Sequence, residues 1–394
     1  MAELHRPTAR DALAVASLLL AFAALCRIPV AHSAPVGAQG WHDGPMPGVR
    51  GMTVGPIENA LHPDRGYGSK RCARALREAR RMGANWVSLT PFGRIWDLAP
   101  TGVALTFETP FRDNRRAVKL AIEQAHAQGL RVLLIPQLWV ETGGWRGELE
   151  LGDSEAWQRW AGGYADFILE WARVADETNA DMFSVGVELR SWVTTTHAPS
   201  FVEIIRRVRR VYSGLLTYAA NWDDVEDTVI LGELDVIGVN AFFPLASEPE
   251  ARLDELRDGA HAAARRMGQL ASAWDKPLLF TEFGYTTRKD PAVRPWEWPE
   301  HLSDVVVDEV AQAEAYHALL SAFIHHPWFA GFFVWRVYAD PDDVSQEAEW
   351  GFSPRGKQAE LVLRDAFRAW LAADGPRPAG VALSRHRARG VGRY

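Results

Sequence analysis

The sequence predicts an α/β fold, a closed (βα)8 barrel in a single domain, and three observations carry this. Eight short apolar runs alternate with helical stretches between Gly51 and Leu371. The apolar runs lack polar alternation, as strands covered on both faces must, so the sheet is expected to be parallel. No G-x-G-x-x-G follows the first run, which weighs against the runner-up, a doubly wound dinucleotide-binding sheet.

The strand runs are Met52–Gly55, Trp86–Pro91, Val132–Pro136, Met182–Val187, Leu216–Ala220, Val236–Ala241, Leu278–Phe283 and Gly331–Val337. Helical stretches fall at Ser69–Met82, Asn114–Gln128, Glu155–Ala175, Phe201–Tyr212, Ala251–Trp274, Val307–Ile324 and Lys357–Leu371. The interval Val225–Glu233 is the weakest and reads as a short helical turn. Trp157, Trp160 and Trp171 share one long helix and are expected in the core. A chain of 394 residues with no mid-chain linker suits one barrel with flanking ends.

Those ends divide as follows. Arg6 and Arg10 precede an apolar run, Ala12 to Leu25, and small residues follow at Ala31, Ser33 and Ala34. Such a run is too short to span a bilayer and reads as a signal peptide over residues 1–34, followed by a linker at 35–48. The alternative is an amphipathic first helix, but polar residues do not recur in it with helical period. The chain is therefore expected to be exported, periplasmic or extracellular, with no integral span after cleavage. Cys26 raises a lipid anchor, against which stands the bulky Leu25 before it. Residues 49–373 form the barrel, and 374–394, with Arg385, Arg387 and Arg389, a basic disordered tail.

Composition narrows the chemistry. A formal charge of −7 gives no basic stripe for nucleic acid. Only Cys72 remains after cleavage, which excludes an internal disulfide and thiol-based metal or redox chemistry; Cys72 is expected to pack as a small hydrophobe. The histidines form no metal pattern, since His325 and His326 are adjacent, and no G-x-S-x-G elbow occurs. Metal-free, cofactor-free acid/base chemistry by a monomer is the expectation.

In a barrel the active site lies at the C-terminal strand ends. Met182–Val187 leads into Glu188, and Leu278–Thr281 into Glu282, at the fourth and seventh strands, which face each other across the mouth. A buried carboxylate costs several kcal/mol, roughly, unless paired, so a lone one would read as a structural ion pair. Two at facing strand ends are what glycosidic hydrolysis requires: one carboxyl to protonate the leaving oxygen, the other to attack carbon or activate water.

Several segments resemble glycoside hydrolase family 113. They are Gly83–Phe92, Trp145–Glu148, Asp181–Arg190, Thr217–Asp223, Leu234–Leu245, Lys276–Tyr285 and Gly351–Lys357, and the likeness spans about Gly51 to Leu371. The resemblance implies a retaining β-1,4-mannanase-like enzyme of a large barrel clan, with Glu188 as acid/base and Glu282 as nucleophile. That division asks for Glu188 protonated at rest and Glu282 ionised by nearby donors. Two departures stand out: Asn240 where the family commonly has an acid, and Phe242 where it has a tyrosine. In the wider clan that tyrosine bonds the nucleophile, so Tyr285 or Tyr338 is expected to replace it.

The chain holds 17 tryptophans. Trp96, Trp139, Trp145, Trp192, Trp222, Trp296, Trp298 and Trp335 fall at or after strand ends, where aromatic faces suit the C–H faces of sugars. Trp335 is the expected platform beside the cleaved bond. Asn221, Asp223 and Asn240 could bind sugar hydroxyls or cap their loops, and Arg146 and Arg94 could hold a hydroxyl or a carboxylate. The segment Thr286–Ser303 reads as a cleft wall. The expected substrate is a mannan-type polysaccharide or oligosaccharide. The alternatives are the same mechanism on another β-glycan, or a non-catalytic carbohydrate-binding barrel.

Overall fold

The computed structural model describes residues 48–56, 64–297, 305–343, 347 and 349–373. The expected signal peptide, the linker up to residue 47 and the basic tail lie outside the described residues. Among the described residues, no helix is long and apolar enough to cross a membrane.

The described residues form ten strands: β1 (Val49–Gly55), β2 (Trp86–Leu89), β3 (Phe92–Ile95), β4 (Arg131–Leu134), β5 (Gln137–Val140), β6 (Met182–Val187), β7 (Leu215–Asn221), β8 (Ile237–Asn240), β9 (Leu278–Phe283) and β10 (Phe329–Tyr338). Eight of them close a barrel in the order β1-β10-β9-β8-β7-β6-β4-β2, every pair parallel. The (βα)8 fold is therefore the observed one, and the eight expected strand runs all lie in it. Its interior is filled by Trp86, Leu133, Met182, Leu279, Phe333 and smaller neighbours, while the outward residues join the larger core beneath the helices. At Gly51 a Cβ would lie 2.3 Å from the Phe333 ring, so only glycine lets that ring fill the barrel's centre.

The helices are α1 (Lys70–Met82), α2 (Phe111–Ala127), α3 (Ser154–Thr178), α4 (Arg190–Val193), α5 (Ala198–Val211), α6 (Leu253–Trp274), α7 (Glu309–Phe323) and α8 (Gln358–Ala373). Helix α1 begins where Ser69 Oγ accepts from Cys72 N, and it ends at Gly83 in the left-handed region. Its buried stripe, Cys72, Ala75, Leu76, Ala79 and Met82, has the three-to-four spacing of a one-sided helix, and Cys72 packs as expected. On α3, Trp157, Trp160 and Trp171 are buried as expected. Trp192 joins them: it is fully buried, its ring 4.9–6.0 Å from those of Trp157, Trp160, Tyr164 and Phe201. It belongs to the core and not to the rim, because α4 turns its side chain back under the loop.

Strands β3 and β5 were not anticipated. Each follows a proline, Pro91 after β2 and Pro136 after β4. Proline donates no N–H to a ladder, so each barrel strand ends there. The chains then resume parallel pairing above the barrel, with Gln137 N donating to the Pro91 carbonyl at 2.9 Å. This small sheet carries part of the rim.

After β7 no helix forms. The interval holds two 3-10 turns, Val225–Asp227 and Val229–Glu233. Buried Lys276 secures the second, donating from Nζ to the carbonyls of Leu231 and Gly232 at 2.8 Å each and to that of Leu234. Desolvation lowers the Lys276 pKa, yet three carbonyls satisfy the three donors. Lys276→Met leaves those oxygens without their partner and is expected to cost about 1–3 kcal/mol. Thermal denaturation checks this; an unchanged midpoint would show that water satisfies the carbonyls equally well.

Candidate active site

The two carboxylates converge on one cleft of about 940 Å³ at the C-terminal end of the barrel. Glu188 follows the last residue of β6, where the β6–β7 register shifts between Ser184 and Val187. Its backbone sits at φ 52, the left-handed region that costs a non-glycine residue roughly 1–2 kcal/mol. The turn is fixed by Glu188 N donating to the Ala219 carbonyl at 2.8 Å. Glu282 lies within β9, and a second register shift sets it beside Asn240 of β8. Chain irregularities thus aim both side chains.

The two carboxyl groups have unequal surroundings. Glu188 accepts from Trp145 Nε1 at 3.0 Å, Arg146 Nη2 at 3.1 Å and Asn240 Nδ2 at 2.8 Å. Asn240 is oriented in turn by Thr281 Oγ1, which donates to its Oδ1 at 2.9 Å. Arg190 lies over the Trp145 ring, 4.4 Å from its centroid, and is held by Asp223 at 2.5 Å and Asp224 at 2.8 Å. Burial raises Asp224 to about 6, against the opposing pull of Arg190. Glu282 is 3% exposed and accepts from Gln137 Nε2 at 2.7 Å. Burial first, and then the negative charge of Glu188, push Glu282 up to about 8, despite Arg146, Arg336 and Gln137.

That asymmetry reverses one expectation. Raised to about 8, Glu282 favours its protonated form near neutral pH, where it was expected to be ionised. The physical reason is that a cationic guanidinium and two N–H donors all reach Glu188, whereas Glu282 has one neutral donor in a drier position. The donor to Glu282 is also not a tyrosine. Tyr285 is fully buried, with its hydroxyl donating to the Phe243 carbonyl at 3.0 Å, and Tyr338 is engaged with Glu347 and Arg336. Gln137 takes the place expected of them.

The family model described as Glycoside Hydrolase Family 113 matches residues 60–357. The chain belongs to glycoside hydrolase family 113. Among solved structures it is similar to a family 113 β-mannanase from Alicyclobacillus acidocaldarius in complex with ManMIm. That match has 28% identity and a TM-score of 0.71, and covers 83% of this chain and 99% of the other. A family 113 β-1,4-mannanase follows at 22% identity and TM-score 0.69, covering 82% and 100%. A family 5 mannosidase from Rhizomucor miehei shares the fold at 12% identity and TM-score 0.62, covering 83% and 94%. No curated protein matches.

In this family 113 glycoside hydrolase, Trp139, Trp145, Arg146, Asn221, Trp222, Phe242 and Trp335 line the cleft with the two glutamates. Trp222 and Trp296 stack at 5.4 Å and 24°, forming one flat wall. Three residues fall elsewhere. Asn240 is fully buried behind Glu188 and orients that carboxylate instead of facing the cleft. Tyr285 is core, because β9 has passed the mouth by its position. Trp96 lies beyond the cleft lining, on the small rim sheet. Asn221 donates to Asp223 at 2.8 Å, so it braces its own loop as well as facing the cleft. Arg94 is paired with Glu141 at 3.0 Å and Glu108 at 3.5 Å. Trp298 lies outside the described residues, as does part of the expected wall Thr286–Ser303. The sequence reading missed Gln137, Arg190 and Phe352. Gln137 had a signal, being the first polar residue after an apolar run closed by Pro136.

Folded Glu282 keeps its proton to about 8 against an ordinary value of 4.5. Between those limits the unfolded chain gives up its proton first, so stability falls as pH rises. Glu282→Gln keeps the acceptor for Gln137 and cannot ionise. Its melting midpoint is expected to exceed the wild-type value by several degrees near about pH 9, with the two converging near about pH 4. Thermal scans across pH check this, and an offset independent of pH would contradict the protonation assigned to Glu282.

Proposed function

We propose that this family 113 hydrolase is an exported enzyme that cleaves β-1,4-mannosidic linkages by double displacement with retention. The observation that carries the mechanism is the convergence of Glu188 and Glu282, from facing barrel strands, on one aromatic cleft. The likeness to β-mannanases supports the sugar.

In the first step Glu282 attacks the anomeric carbon as a carboxylate, while Glu188 gives its proton to the departing oxygen. In the second, Glu188 takes a proton from water, whose oxygen attacks the same carbon and releases Glu282. The pair carries one proton before the first step, gives it to the departing oxygen, and regains one from water in the second. Before a sugar binds, burial favours that proton on Glu282. A sugar bound between the two supplies hydroxyl donors to Glu282, which has only Gln137, and displaces water from Glu188. Both changes move the proton toward Glu188, so substrate binding itself prepares the reactive state.

Phe242 bears on specificity. Phe242 packs edge-on to Phe352 at 5.8 Å, presenting an apolar edge where the family offers a hydroxyl. This favours, as the second reading, the same chemistry on another β-glycan.

A panel of mannan, xylan, cellulose and laminarin, with Glu282→Ala as control, separates these readings. Mannan turnover is expected, with the variant falling below a few per cent of wild type, and the β-anomer is expected as the first product by NMR. Rapid xylan hydrolysis without action on mannan would sink the mannan assignment. Binding without turnover on every glycan would point to a non-catalytic barrel, and a variant retaining substantial activity would remove Glu282 from its role.

A further inference from the structure

The rim sheet of β3 and β5 has two unlike faces, set by the two-residue strand period. Gly93, Ile95, Leu138 and Val140 point down and are buried, Gly93 so tightly that a Cβ would lie 2.5 Å from the Phe167 ring. The upper face carries Phe92 and Arg94 of β3 beside Gln137 and Trp139 of β5, with Trp96 and Glu141 one residue past the strand ends. Register pairs Phe92 with Gln137 and Arg94 with Trp139. Backbone pairing continues one step past the strands, with Thr142 N donating to the Trp96 carbonyl at 2.9 Å.

This face begins at the reacting centre. Gln137 donates to Glu282, and Trp139, the next residue on the same face, lines the cleft. Same-face neighbours along a strand are about 6.7 Å apart, so Trp139 lies one such step outward from Gln137. Trp139 is 50% exposed and Trp96, further out, is 63% exposed. Neither ring is loose. Trp139 packs edge-on against Phe92 and Phe107 at 6.3 and 6.0 Å. The Arg94 guanidinium lies 5.8 Å from the Trp96 ring centroid and 5.1 Å from that of Phe107, and Glu141 and Glu108 fix it. Two indoles are thus held in place with open faces, at a site that their own burial does not explain.

We propose that the upper face of the β3–β5 sheet is a distal sugar-binding subsite, in which Trp96 and Trp139 stack on outer residues of the polysaccharide whose scissile bond lies at Glu188 and Glu282. The occupant is the same glycan chain, because the face is continuous with the cleft through Trp139. Indole faces take the C–H faces of pyranoses, and Arg94 and Glu141 offer a donor and an acceptor to the hydroxyls at their edges. The proposal rests on the glycan-hydrolase reading above and adds a dependence on chain length.

The test is Trp96→Ala, an exposed substitution remote from the carboxylates, assayed on manno-oligosaccharides from two to six residues and on soluble mannan. The variant is expected to match wild type on the shortest substrates and to lose about tenfold in kcat/KM on the longest, mainly through KM. Calorimetric titration of the Glu282→Gln protein with the hexaose, with and without Trp96→Ala, is expected to show the same tenfold loss of affinity. A variant equal to wild type at every length overturns the subsite and leaves the mannanase reading standing. If wild type hydrolyses none of these substrates, the mannan reading fails and the titration decides the subsite. A loss of affinity on Trp96→Ala then supports it, and unchanged or absent binding overturns it.

Discussion

Two carboxylates in one nearly dry cleft repel each other, and much of the mouth answers to that constraint. Neither charge can be left bare there without a cost of several kcal/mol, roughly. Glu188 is served from three directions: Trp145 and Arg146 from the chain beyond β5, and Asn240 from β8. Arg146 also donates to the Leu138 carbonyl at 3.2 Å, so the rim sheet and the acid are tied to one guanidinium. Arg190, held by Asp223 and Asp224, backs the Trp145 ring from behind. Glu282 accepts from Gln137, and burial, with the Glu188 charge, raises its proton affinity against that donor. The inequality is what separates two chemically identical groups into two states.

The barrel was legible in the sequence because its strands are buried on both faces. Unbroken apolar runs such as Leu278–Phe280 admit few other readings, and each recurs at a helix-long interval. Two features escaped for physical reasons. Strands β3 and β5 span four residues each, and an alternating half-exposed strand that short resembles a loop. The interval after β7 reads in the sequence as a short helical turn and forms two 3-10 turns, the second secured by Lys276, a partner distant in sequence. Trp192 looked like a rim residue by its place after β6, yet the four-residue helix α4 rotates it into the tryptophans of α3.

The site was legible at its centre and less so one shell out. Glu188 and Glu282 announce themselves as charges ending apolar runs. Their partners do not, since a hydrogen bond between Gln137 and Glu282 joins residues 145 apart. Expecting a tyrosine hydroxyl on Glu282 led to Tyr285, whose ring is directed by strand alternation into the core. Asn240 shows the converse. Its position at the end of β8 reads equally as sugar-binding or structural, and only the register shift against β9 turns it toward Glu188.

The rim and the barrel are held by different forces, which explains how one can vary over the other. Within the barrel, apolar side chains interlock and tolerate little change of volume. Above it, ion pairs bind several strand exits to neighbouring segments. Asp340, buried just past β10, takes Arg71 at 2.6 Å, with Arg65 and Arg74 at 3.8 and 3.7 Å. This anchors the β10 exit to α1 and to the segment before it. Arg336 on the same strand lies between the Trp335 and Tyr338 rings, at 4.7 and 4.8 Å, so that anchor also steadies the cleft wall. Arg94, Arg146 and Arg190 do the same for β3, β5 and β6. A guanidinium keeps its charge at any pH the protein meets and can satisfy a carboxylate and an aromatic face together. Arginines clasped between carboxylates and tryptophans therefore fix exposed aromatic surfaces in place without burying them, which is the condition a cleft must meet to bind sugar rings.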